Sequence, residues 1–404
     1  MASLKLSKVN KVYPSGETGL YDINLEAKDK EFLVIVGADG SGKSSLLRVV
    51  AGLEDATSGT VFIDDKDVTE VEPKNRDIAM VFQSSTLYPS LNVFDNMAFG
   101  LRMRKAPEAL VKERVKVVAN ILGLNDILYR KPKALTAAAK QRVAIGRAIA
   151  REPKLYLFDE PLSGLDDKLK GDMLNVVINL QARLEGTFVY ATKNVPEALT
   201  IGTRLVVLKD GFIQQIDTPA NLYDYPANTY VAFYIGSPTI NFIKKVKIAE
   251  DAGKYFAVFA DYKVELPENV VNRFEKISEY AGTDKTVILG IRPEDAEVNA
   301  DGIFSGTVDK VEDEEGIYAE VDLTPDVTIN AQSKESVQKG AKVNVAVDLT
   351  KLYIFDAESR LTLLKKDAGY NKTEYADADF VPLAHDEQLR IHESLKPNKK
   401  RKKK

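Results

Sequence analysis

Nine residues near the start of the chain, Gly37-Ala38-Asp39-Gly40-Ser41-Gly42-Lys43-Ser44-Ser45, combine the parts needed to hold a phosphate. Their spacing fits G-x-x-x-x-G-K-[ST]. Gly37, Gly40 and Gly42 let the backbone turn tightly and bring its N–H groups against an anion. Lys43 offers a cation to β- and γ-phosphates, and the Ser44 hydroxyl is an oxygen ligand for Mg²⁺. Two carboxylates end a later apolar run, Leu155-Tyr156-Leu157-Phe158-Asp159-Glu160. Asp159 suits Mg²⁺ held through a water shell, and Glu160 suits a base that polarises an attacking water. Alone, such a pair reads as solvated acids at a strand end; downstream of a phosphate loop it reads as catalytic. Gln83 closes another apolar run, from Arg76, and could bind Mg²⁺ or orient a water. Lys193 follows a third run, Thr187 to Thr192, and is directed to the same crevice. Tyr13 is either a stacking surface for a purine or an aromatic packed at a strand end.

These side chains need a parallel sheet behind them. Phe32 to Val36 reads as a buried strand and Leu46 to Ala51 as the first turns of a helix, giving strand, loop and helix around the phosphate motif. Ligands in such α/β folds sit beyond the carboxyl ends of the strands, which is where Gln83, Asp159, Glu160 and Lys193 fall. Residues 92–150 are mostly helical: Val111, Val115, Val118 and Leu122 recur at helical spacing. Lys131-Pro132-Lys133 breaks the pattern before a second helix from about Thr136 to Arg151. This block is inserted into the sheet domain. A hairpin follows at Leu205 to Ile213, turning at Lys209-Asp210-Gly211. From about Ile235 the pattern changes to short strands, among them Phe256–Phe259, Val287–Ile291, Tyr318–Val321, Val343–Val347 and Leu352–Phe355, which suggest a small β-barrel.

Composition narrows the possibilities. A length of 404 residues suggests two or three domains. Cysteine is absent, which excludes disulfides, thiolate metal sites and cysteine nucleophiles. The two histidines, His385 and His392, lie near the end, so the first 384 residues contain no imidazole base. No apolar run approaches a membrane span, and the first residues lack the apolar core of a signal peptide, so a cytoplasmic location is expected. Net charge is −4; residues 396–404 carry seven cations and no acid, leaving −11 for the rest. An acidic body is not the footprint of a nucleic-acid-binding domain. The run Lys399 to Lys404 reads as a solvated tail, with anionic lipid or RNA contact as alternatives.

In combination, GADGSGKSSLLRVVAGLE, MVFQSSTLYPSLNVFDNMAFGL, KQRVAIGRAIAREPK, LYLFDEPLSGLDDKL and LGIRPED resemble the ATP-binding subunits of ABC transporters, in the carbohydrate-importer branch. The resemblance covers residues 1 to about 365. It implies an ABC-type P-loop NTPase domain over 1–235, with its helical insertion at about 86–150. An OB-like regulatory β-barrel over 236–365 and an extended tail over 366–404 would follow. Function would be ATP- and Mg²⁺-dependent uptake of a carbohydrate or polyol, at the cytoplasmic face of the membrane. Implied partners are permease transmembrane subunits, a second ATPase subunit in a homo- or heterodimer and, indirectly, an external substrate-binding protein. Within it Tyr13 stacks on adenine, residues 37–45 form the Walker A loop, Gln83 is the Q-loop glutamine, and Asp159 and Glu160 are the Walker B aspartate and catalytic glutamate. Asp166 crosses to the partner subunit, and residues Tyr88 to Asn96 face the permeases.

Two departures stand out. The family's LSGGQ signature is here Leu135-Thr136-Ala137-Ala138-Ala139. Thr136 keeps a hydroxyl, but methyl groups replace hydrogens where backbone should approach phosphate, and the amide side chain is lost. The family's switch histidine is here Lys193, a cation with no acceptor, which could still neutralise the phosphate but cannot relay a proton or hold the water the same way. Slow turnover with intact nucleotide binding is the expectation, and a nucleotide-binding pseudo-ATPase or regulatory subunit is the alternative.

Overall fold

The computed structural model describes residues 2–84, 86–313, 316–366, 370–371, 380 and 382–395. Two compact units emerge: residues 2–219 with residues 392–395, and the described residues of 220–391.

In the first unit, β1 (Leu4–Val12) and β2 (Thr18–Ala27) precede the buried strand β3 (Phe32–Val36) and helix α1 (Lys43–Ala51). Next come β4 (Ser58–Ile63), β5 (Lys66–Asp67) and β6 (Ile78–Val81). The inserted helices are α2 (Val93–Met103), α3 (Glu108–Ile121) and α4 (Ala137–Ile149). The chain returns through β7 (Leu155–Asp159), α5 (Asp167–Leu184), β8 (Thr187–Thr192), α6 (Val195–Ile201) and the hairpin β9 (Arg204–Lys209) and β10 (Phe212–Asp217).

Six strands form the central sheet in the order β10-β9-β3-β8-β7-β6, parallel except for β10. Every residue of β3, β7 and β8 is buried, so these strands read as unbroken apolar runs rather than alternating ones. Phe188 holds the strands together sideways, with ring centroids 5.5 Å from Phe32, 5.2 Å from Phe158 and 4.7 Å from Tyr156. A second, antiparallel sheet runs β2-β1-β4-β5. Glu31, at 0 % exposure, is tied to Arg204 at 2.8 and 3.1 Å, a paired burial that avoids an isolated charge.

The second unit begins with α7 (Pro219–Asp224) and α8 (Thr229–Tyr234). Strands β11 (Asn241–Asp251), β12 (Lys254–Phe259) and β13 (Tyr262–Leu266), the short α9 (Glu268–Val271) and β14 (Val287–Ile291) follow. Then come β15 (Ala296–Val298), β16 (Phe304–Asp313), β17 (Ile317–Thr324), β18 (Val327–Gln332), β19 (Lys342–Val347) and β20 (Tyr353–Asp356). A closed barrel, β15-β18-β17-β16-β19, stands beside a five-stranded sheet, β13-β12-β11-β14-β20. Their shared core includes Ile243, Leu289, Phe304, Ile329, Val345 and Phe355.

Compactness divides the chain earlier than the boundary at 235 read from the sequence. One reason is Arg292, 1 % exposed, whose guanidinium donates to the carbonyls of Ala232 (2.9 Å), Ile235 (2.8 Å) and Tyr223 (2.9 Å) and lies 3.9 Å from the Tyr223 ring; backbone bonds of Ala227 and Thr229 to Thr362 and Arg360 are another. Segment 220–235 is thereby fastened to the β-rich unit. The expected extended tail also contains a helix, α10 (His385–Leu395). Its first turn carries Asp386 and Glu387, and Arg390 pairs with Asp386 at 2.7 Å one turn back, a pattern that supports an isolated helix. The basic run Lys399 to Lys404 lies outside the described residues.

Candidate active site

The phosphate loop is a turn that only glycine satisfies at several points. Gly40 and Gly42 adopt φ of 80° and 106°, and a Cβ on Gly37 would run into the Leu208 carbonyl and Ser41 Oγ. Lys43 opens α1 and folds back over the loop, donating to the carbonyls of Gly37 (2.8 Å) and Ala38 (2.9 Å) and lying 3.3 Å from Glu160 Oε1. Its side chain is 4 % exposed. Ser41 Oγ is buried in the loop without a hydrogen-bond partner, a polar atom of the kind that a bound oxyanion would satisfy.

Ser44 Oγ donates to Asp159 Oδ1 at 2.8 Å. Burial pushes the Asp159 carboxyl up from the usual carboxylate range; Ser44 and the cations Arg48 and Lys43 oppose this, while Glu160 adds to it. Glu160, one residue on, turns at φ 45° with its N–H on the Ala191 carbonyl at 2.9 Å. That left-handed turn directs its carboxylate to Lys43, and non-glycine residues seldom adopt it without cause. Asp159 and Glu160 are therefore brought to the loop, as the sequence pattern predicts.

Strand register explains the rest of the cluster. Val81 pairs with Phe158 and Val36 with Thr192, so Gln83 and Lys193 both leave the sheet at the edge that carries Asp159 and the loop. Gln83 lies two residues beyond β6 and is exposed. Lys193 reaches Asp39 in the phosphate loop, Nζ to Oδ2 at 2.8 Å. The next residue, Asn194, caps α6 by accepting from the Glu197 N–H at 2.8 Å, which fixes where Lys193 leaves the sheet.

Tyr13 is half-buried, and its hydroxyl meets Ser45 Oγ at 2.8 Å and Glu54 Oε2 at 2.8 Å. Thr136 caps α4, its hydroxyl accepting from the Ala139 N–H at 3.2 Å. Asp166 caps α5, accepting from the Leu169 N–H at 3.0 Å. The Tyr88–Asn96 loop is organised by Asn96, at 0 % exposure, which accepts from the Tyr88 N–H and donates to the carbonyls of Leu91 and Asn92. Tyr88 stays exposed, between Phe99 and the Arg147 guanidinium.

Sequence reasoning missed Glu54 and the half-buried Glu197. Glu197 takes hydrogen bonds from Tyr190 and from Thr192 Oγ1 (3.1 Å), and burial raises its pKa. Its place in the first turn of a helix after a strand was a usable signal. Glu54 closes the GADGSGKSSLLRVVAGLE run beside Asp55, where no spacing singles it out.

Residues 20–163 match the family described as ABC transporter, and residues 236–296 the one described as MalK OB fold domain. The oligosaccharides import ATP-binding protein MsmX of Bacillus subtilis (strain 168) is 42% identical over 373 residues, 90% of this chain and 100% of that protein. The chain belongs to the family of ABC transporter ATP-binding subunits. Another relative in the family is the trehalose/maltose import ATP-binding protein MalK of Thermococcus litoralis, 41% identical over 374 residues, 88% of this chain and 98% of that protein. Among solved structures, cbiO1 of Clostridium perfringens, part of the ABC transporter complex cbiONQ, superposes on 54% of this chain and 89% of its own with a TM-score of 0.51 at 27% identity. Among the described residues no helix is long and apolar enough to cross a membrane.

Proposed function

We propose that this subunit binds Mg²⁺–ATP in the loop of residues 37–45 and couples its binding and slow hydrolysis to uptake of a carbohydrate or related polyol. The pairing of Ser44 with Asp159, beside that of Lys43 with Glu160, carries the reading. Two hard oxygen donors 2.8 Å apart suit Mg²⁺, which typically takes one or two protein oxygens and fills the rest with phosphate and water. When bound, the ion neutralises phosphate oxygens. Lys43 would leave the Gly37 and Ala38 carbonyls for the β- and γ-phosphates, freeing Glu160 to act on water. Ser41 Oγ would gain an acceptor, and Tyr13 would stack on the adenine.

The import names of MsmX and MalK, with the MalK-type second domain, support a sugar importer. Such a subunit works as a dimer, with itself or with a second ATPase subunit, peripheral to the cytoplasmic face of the membrane. The exposed Tyr88 on its rigid loop is suited to meet a permease subunit. An external substrate-binding protein would act through that permease.

The Thr136-Ala137-Ala138-Ala139 helix start and Lys193 favour a second reading, a subunit that binds nucleotide and hardly turns it over. Thr136 already accepts from Ala139, while its O–H can still donate. Loss of one preorganised donor at developing charge lowers a rate about 10²- to 10³-fold. Lys43→Ala tests the shared premise: Mg²⁺–ATP affinity by calorimetry should fall about 10- to 100-fold, the worth of a charged hydrogen bond. Unchanged affinity would overturn both readings. Turnover of the purified protein, alone and with candidate partner subunits, separates them.

A further inference from the structure

A carboxylate foreign to a phosphate site meets a lysine that departs from the family pattern. Asp39 places a carboxylate in the loop that must receive a triphosphate, and Lys193 places an ammonium where the strand β8 ends. We propose that Asp39 and Lys193 form one charge-compensating clasp at the mouth of the phosphate loop, with Lys193 a positioning residue that sustains nucleotide affinity by neutralising Asp39. This rests on the nucleotide-binding reading above and adds to it the route by which Lys193 acts.

The geometry favours a pair over two independent groups. Val36 and Thr192 are register partners on adjacent parallel strands, so the chain leaves both strands side by side. Lys193 Nζ then lies 2.8 Å from Asp39 Oδ2, with side-chain exposures of 51 % and 74 %. Each group favours the charged form of the other: the Lys193 hydrogen bond lowers the Asp39 pKa, and the Asp39 hydrogen bond raises that of Lys193. Glu160 adds a second, weaker attraction on Lys193. An unpaired carboxylate at Asp39 would repel an incoming polyphosphate, most strongly at low salt. With Lys193 in contact, the loop presents no net charge from this pair.

A double-mutant cycle on the full-length protein tests the clasp, with Mg²⁺–ATP and Mg²⁺–ADP affinities read by calorimetry. Lys193→Ala should weaken Mg²⁺–ATP about tenfold in the native background and less than about threefold once Asp39→Ser is present. Asp39→Ser alone should bind at least as tightly as the native protein. The native-background loss should shrink between about 50 and 300 mM salt, and Lys193→Arg should restore most of it. Both side chains are exposed, and melting temperatures establish that each variant is folded. Equal losses with and without Asp39, or no loss at all, would overturn the clasp. A native protein that binds no Mg²⁺–ATP would instead overturn the nucleotide reading itself.

Discussion

The start of helix α4 is where the proposed slow turnover can be tested by repair. The triple substitution Ala137→Gly, Ala138→Gly, Ala139→Gln restores the glycines and amide that the family signature carries. In the present helix the Lys140 N–H already joins the ladder through the Thr136 carbonyl at 3.0 Å, and the Ala139 N–H is held by the Thr136 hydroxyl. The N–H groups of Ala137 and Ala138 precede the ladder and are the natural anion donors of a helix N-terminus. Their methyl groups limit how closely a phosphate held by a partner subunit can approach. Repair has a cost. Each Ala→Gly change in a helix costs up to about 1 kcal/mol. Ala138 is 9 % exposed, so losing its methyl group adds about 0.8 kcal/mol. The sum, about 3 kcal/mol at most, predicts a melting temperature lower by roughly 6–12 °C for a unit of this size. Against that, turnover measured by phosphate release at saturating Mg²⁺–ATP should rise by about 10²-fold, with affinity in the unpartnered subunit changed less than about threefold because the Walker A loop is untouched. On the proposed reading, in which the signature of one subunit serves the nucleotide held by its dimer partner, turnover should also rise with protein concentration. A folded, dimerising variant that hydrolyses ATP no faster than the native chain would refute the damaged-signature argument. So would native turnover already at ordinary enzyme rates of about 10 s⁻¹.

Two further outcomes follow from buried charges. Burial raises the Asp159 pKa above its ordinary value near 3.8, so the folded state binds this proton more tightly than the unfolded chain. The charged carboxylate therefore detracts from stability above the folded pKa, and that penalty is relieved as pH falls through the raised value toward 3.8. Asp159→Asn should raise the thermal stability of nucleotide-free protein at neutral pH, abolish the extra stabilisation that Mg²⁺ gives with ATP, and flatten the acid-side pH dependence; thermal shifts with and without Mg²⁺ between pH 4 and pH 8 check this. In the second unit, Arg292→Ala leaves the buried carbonyls of Ala232 and Ile235 without the guanidinium donor, leaves the Tyr223 carbonyl to the Tyr353 hydroxyl alone, and opens a void beside Tyr223. A loss of about 3–5 kcal/mol is expected, measured as a lower urea midpoint, with Mg²⁺–ATP affinity of the folded protein unchanged.

The sequence carried the chemistry further than the packing. Gly37 to Ser45, Asp159 and Glu160 were legible because a phosphate loop needs specific residue types at fixed spacing and buried strands announce themselves as apolar runs. The β-rich half was legible as short strands, but its division into a closed barrel and a separate sheet was not, since strand order depends on pairings far apart in sequence. Arg292 stands in the LGIRPED run, but nothing in that run shows that its guanidinium will bind carbonyls some sixty residues earlier.

The Asp39–Lys193 pair shows why departures from a pattern should be weighed together. Taken singly, Lys193 is a lost histidine, and Asp39 is an unremarked variable position in a loop. The adjacency of β3 and β8 turns them into neighbours, and the lysine becomes the partner of a misplaced negative charge. That arrangement predicts opposite consequences for single and joint restoration. Lys193→His alone removes the counter-charge and should weaken Mg²⁺–ATP binding in spite of restoring the family residue. Lys193→His with Asp39→Ser removes both charges together and should recover the affinity. If histidine alone improved binding, the lysine would have to be counted as simple damage, and Asp39 would need no partner.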